Sequence, residues 1–207
     1  MEKKIPDKAF SRIEKQEKDF VRRVVYLLRA YTPGPWWHVL IPFRFVLEYL
    51  TRKREIKLFS KTHLYLKHLA LSAAYQDLAS ADPAESDARL EARLRDYWLH
   101  MQDTKSQEIY EQLSAWTELL RKHYFRMLQT GETDYRLMLQ KAYSSESAYK
   151  EFLDRLADRE GRIDRVLLGF RPVNEEKAAG QWLLNKQKAF ARIRDREIHE
   201  AWDRVAD

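Results

Sequence analysis

The sequence predicts an all-α fold, an elongated bundle of six to seven helices, two or three of them long, with no β-sheet. Three observations carry this. Apolar residues recur at three- and four-residue spacing along most of the 207 residues, and no segment alternates with period two long enough to make a strand. Glycine numbers 5 and proline 6, too few for the many turns of a β-sandwich or barrel. Hydrophobic residues are 44% and charged residues 34%, enough for a packed core and solvated helix faces together. No repeat and no low-complexity tract interrupts the pattern. The chain therefore reads as a single helical domain over 1–207, divisible into a basic sub-unit, 1–82, and a helical bundle, 83–207.

The first helix spans 7–30, with Phe10, Ile13, Phe20, Val24 and Leu28 on one face. Pro6-Asp7 starts it, and Thr32-Pro33-Gly34-Pro35 stops it. Residues 36–50 are apolar on nearly every side, and Pro42 within them predicts a kink or a fresh helix start. Helical patterning continues through Phe59, Leu66, Leu69, Ala73 and Leu78 to a stop near Ala81-Asp82-Pro83. Asp82 and Glu85 supply a capping pattern for a third helix, whose stripe is Leu90, Leu94, Trp98 and Met101. After a weak break at 103–106 the same period returns in Ile109, Leu113, Trp116, Leu120, Tyr124 and Met127, and Gly131 ends it. Short helices follow over 134–143 and 146–160, with 161–170 read as an interrupted turn or two between Gly161 and Gly169. Asn174 opens the last helix, faced by Trp182, Phe190, Ile193, Ile198, Trp202 and Val205. The six tryptophans read mainly as core anchors.

Chemistry is harder to find. With no cysteine, disulfides, thiolate metal sites and a cysteine nucleophile are excluded. A di-iron carboxylate bundle needs Glu-x-x-His twice, but Pro35, Ser60, Tyr65, Tyr97, Leu120 and Arg196 stand three before the six histidines. His63 and His68 are five apart and turn to different faces, while Asp96 and His100 read as a surface hydrogen bond. His38 and His68 read as packed or capping histidines. The five glycines form no phosphate-binding loop, and Asp154 with Asp158 has no second acidic cluster to hold magnesium and pyrophosphate. Arg192, Arg194 and Arg196, with Arg171 upstream, alternate with Asp195, Glu197, Glu200 and Asp203, which predicts a salt-bridged solvent face and makes nucleic acid the weaker partner. No catalytic residue, cofactor or metal is implied, and the expectation leans away from an enzyme.

Charge is uneven. Net charge is +6 overall, but residues 1–69 carry +9, residues 70–158 carry −5 and residues 159–207 carry +2. A basic first third predicts an anionic partner there. The charged start, Met1-Glu2-Lys3-Lys4, lacks the apolar run of a signal peptide, so a cytoplasmic location at the inner face of the membrane is expected. Fifteen helical residues over 36–50 span about 22 Å against about 30 Å for a bilayer core, too short to cross. Trp36 and Trp37 at one end and Tyr49 at the other match the headgroup preference of amphipathic aromatics. Arg22, Arg23 and Arg29 precede the run, and Arg52, Lys53, Arg54 and Lys57 follow it. The competing explanation is a central bundle helix covered on all sides. The sequence thus nominates residues 20–60, and in them Trp36, Trp37, Phe43, Arg44, Phe45, Leu47, Arg52, Lys53 and Arg54, as a surface for an anionic lipid face or a membrane protein, with self-association open. A helical adaptor or regulator binding protein or nucleic acid is the alternative.

Overall fold

A computed structural model of the chain describes the backbone of residues 7–30, 42–79, 83–100, 107–169 and 173–203, and the side chains of these except 29–30, 42–55, 83–85, 98–100 and 173–176. The described residues form seven helices and no strand: α1 Asp7–Ala30, α2 Pro42–Ala79, α3 Pro83–His100, α4 Gln107–Gln129, α5 Tyr135–Ala142, α6 Glu146–Gly169 and α7 Val173–Trp202. Pro42 stands at the first position of α2, where a missing N–H and a fixed φ cost nothing.

Local chemistry sets the short connections. Gly131 ends α4 with φ at 71°, the left-handed conformation that a glycine adopts without Cβ strain. Asp134 caps α5 by accepting a hydrogen bond from the Leu137 amide at 3.1 Å. Ser145 does the same for α6 through the Ala148 amide at 3.1 Å.

Two helices occupy the interior. On α4, Trp116, Leu120, Tyr124 and Met127 are buried along one stripe. On α2, Leu66, Leu69, Ala70, Leu71, Ala73 and Ala74 are all buried, so this stretch is enclosed by α1, α3 and α4. Helix directions follow from specific pairs. Asp7 meets Tyr75 and Glu17 meets Lys67, so α1 and α2 run antiparallel. Glu160 meets Arg194 and Asp164 meets Lys186, so α6 and α7 do too. Phe20 packs on Phe190 while Glu17 and Glu197 border one void, which makes α1 and α7 antiparallel. The end of α1, the start of α2, the end of α6 and the start of α7 therefore share one end of the bundle.

Three expectations need correction. Residues 161–169 are not an interrupted turn, because α6 continues unbroken through Gly161 to Gly169. Glu160 and Asp164 face α7 from consecutive turns, and those tertiary pairs outweigh the weak helix preference of one glycine. Arg194 does not belong to a solvent face, since it is buried against Glu160. His68 is exposed, 3.5 Å from Glu14 and beside Ser72, whereas His63 is packed in the interior.

Candidate functional site

The interior of the bundle holds charged groups where an apolar seam is the norm. On α1, Glu17 lies one turn after Ile13 and one before Phe20, on the inward stripe. Its Oε2 meets Lys67 Nζ of α2 at 2.5 Å, and its Oε1 accepts from the Tyr124 hydroxyl of α4 at 2.7 Å. Lys67 is buried, with Nζ 4.3 Å from the centre of the Phe20 ring. On α7, Glu197 accepts from Tyr135 of α5 at 2.8 Å and from Tyr149 of α6 at 2.9 Å. Both carboxylates border a small pocket of about 30 Å³. Burial, and then Glu17 and Glu197, hold the hydroxyls of Tyr124 and Tyr149 well above 10, and burial and Glu197 do so for Tyr135. All three stay protonated and donate.

Towards the end where α6 finishes, Arg194 donates to Glu160 at 2.8 Å and Lys186 pairs with Asp164. Arg194 also lies 5.1 Å from the Phe190 ring. These four charges border a cleft of about 140 Å³ between α6 and α7, floored by Leu153, Ala157 and Phe190. Burial raises the Asp164 carboxyl above its ordinary value, and Lys186 opposes the shift. Two histidines are held neutral. His63 packs among Phe20, Phe59, Trp116 and Phe190, and burial followed by Lys67 pushes its pKa well below 6.5. His123 stacks on Phe152 at 4.4 Å and hydrogen-bonds Tyr143 at 2.7 Å, and burial pushes it down to about 3. Among the described residues no three His, Asp or Glu side chains gather as metal ligands, and no helix is long and apolar enough to cross a membrane.

Trp36 and Trp37 lie outside the described residues. Phe43, Arg44, Phe45, Leu47, Arg52, Lys53 and Arg54 belong to the opening turns of α2, and their side chains lie outside the described ones. The helix end beside them is described. Over 21–28, 56–61, 161–169 and 177–188 there are nine Lys and Arg against one carboxylate, Asp164, which is buried. Arg22, Arg23, Lys57, Lys61, Arg162, Arg165 and Lys177 are exposed. Four large apolar side chains are exposed on these segments: Tyr26 at 73%, Leu58 at 60%, Leu184 at 44% and Leu167 at 38%.

Sequence reasoning missed Glu17, Lys67, Tyr135, Glu197, Glu160, Asp164 and Lys186 as interior groups. A signal was present, because each charged member falls on the inward stripe of its own helix. No family model, curated protein or solved structure matches the chain. The fold and site define a class in physical terms: an all-α bundle with a polar centre and one strongly basic end.

Proposed function

We propose that this chain is a non-enzymatic protein that associates peripherally with an anionic membrane surface, or with a membrane protein at that surface, through the basic end formed around residues 20–60. The inner face of the cytoplasmic membrane is the location this implies. One observation carries the reading: among the described side chains, four helix termini bring nine cations and four exposed large apolar side chains to the same end, three of the cations paired with carboxylates, Arg22 with Asp19, Arg162 with Asp158 and Lys186 with the buried Asp164. Anionic lipid attracts each nearby Lys or Arg by about 1 kcal/mol, and shallow insertion of apolar side chains adds to this. The apolar opening of α2 and the Trp36-Trp37 pair leave from this end in sequence, which supports an anchor that lies in the headgroup layer.

Vesicle flotation tests the proposal. The protein should float with vesicles containing phosphatidylserine or phosphatidylglycerol, remain below with phosphatidylcholine alone, and dissociate as salt is raised. Reversing two cations together, Lys57→Glu with Lys61→Glu, should weaken partitioning by more than about tenfold. Partitioning indifferent to lipid charge, or none with any vesicle, overturns the reading and favours the adaptor.

A further inference from the structure

The charges inside the bundle do not balance, and the imbalance falls on one residue. Glu17 is answered by Lys67, Glu160 by Arg194 and Asp164 by Lys186. Glu197 is the carboxylate left over, since both its oxygens are held by neutral tyrosine hydroxyls.

The cations around Glu197 are committed elsewhere, including Arg194, three residues before it on α7 and bordering the same pocket, which pairs with Glu160. From α1 Glu197 faces Glu17, a second carboxylate, and from α2 Lys67, already committed to Glu17. From α4 come the neutral His123 and Tyr124, whose hydroxyl is turned to Glu17. Tyr135 and Tyr149 donate from α5 and α6, and Glu160 of α6 adds a further negative charge that Arg194 neutralises. The pocket of about 30 Å³ borders both Glu17 and Glu197 and has room for a water, so a proton has a carrier to the site.

A second negative charge beside Glu17 in a medium of low polarity is costly, and a proton removes it without moving an atom of the scaffold. The geometry points to Glu197 as a proton-binding site: the folded bundle carries a proton on this side chain at pH values where the unfolded chain has lost it. Tyr135 and Tyr149 then hold a carboxylic acid at the edge of this pocket. Burial raises the Glu197 carboxyl above its ordinary value, Glu17 adds to the shift, and the two tyrosine donors and Lys67 oppose it. Because the folded state binds the proton more tightly, its contribution to stability is greatest at low pH and fades as pH rises through the folded value. This goes beyond the membrane-surface proposal and does not depend on it.

Difference infrared spectroscopy of the full chain during a pH titration reads the site directly. The wild type should show a protonated-carboxyl C=O band that persists above the ordinary carboxylate range and is absent from Glu197→Gln. Tyr149→Phe removes one donor to the charged form, so the midpoint of the band should move up by about one pH unit. That shift keeps the test alive if Glu197→Gln fails to fold. The absence of such a band from the wild type overturns the inference, as does a band unchanged in a folded Glu197→Gln. A bound cation in place of the proton is revealed by the absence of a band together with unfolding midpoints that differ between potassium and choline at equal ionic strength.

Discussion

His123 shows how one buried side chain ties stability to pH. Its ring lies flat on Phe152, and burial holds its pKa at about 3. The unfolded chain takes up this proton near pH 6.5, while the folded chain refuses it until far lower. The folded state therefore loses ground as pH falls below 6.5, by roughly 1 kcal/mol per unit for one such group. His63, also held neutral by burial, acts in the same direction. Urea unfolding between pH 7 and 5 should give a shallower pH slope for His123→Gln than for the wild type, shallower by roughly that amount. Identical slopes would mean that His123 accepts its proton inside the fold. Glu197 has the opposite sign, so only variant-by-variant comparison separates the two.

Helices and their junctions respond to different substitutions. Arg121 of α4 makes a two-pronged bond to Asp77 of α2, at 2.6 and 2.7 Å, and also reaches Asp87 of α3. It is mostly buried, so Arg121→Ala leaves Asp77 without its counter-charge and should cost about 3–5 kcal/mol, read as a lower unfolding midpoint. Glycines divide by conformation. A Cβ at Gly161 meets nothing within 4 Å inside α6, so Gly161→Ala should stabilise by about 0.5–1 kcal/mol. Gly131 has a positive φ, so Gly131→Ala should destabilise by about 1 kcal/mol in the same thermal melts. Helix identity was legible because it rests on local periods: the stripes of α1 and α4 appear in the structure much as their spacing reads. The continuity of α6 was not, since its cause lies on α7, some twenty-two to thirty-four residues away. The polar centre was half legible. Glu17, Lys67 and Glu197 interrupt apolar stripes, but which interruption meets which depends on register between helices, and a period along one helix carries no register.

At the scale of the whole molecule, the described apolar burial and the exposed positive charge concentrate in different places. Among the described residues, the larger core cluster holds twenty-four buried residues around α2 and α4, while the cluster that reaches towards the basic end holds seven, among them Phe20, Val24, Leu28 and Phe190. Stability within one domain varies with local burial, so the described residues of the smaller cluster, towards the basic end, open before those of the larger one. Like-charge repulsion among the exposed cations of the basic end adds to that tendency and is screened by salt, with a Debye length of roughly 10 Å at 0.1 M. Amide hydrogen exchange should therefore be slowest in the middle of α4 and in α2 over 66–74, and faster in α7 over 177–186. Raising salt should slow exchange at the start of α7 and the end of α1 and leave α4 almost unchanged. Equal slowing throughout would mean that the repulsion is not concentrated at that end. An anionic vesicle supplies the same neutralisation in concentrated form, so if the membrane proposal holds, it should protect the very amides that salt protects, at an ionic strength too low for salt alone to act.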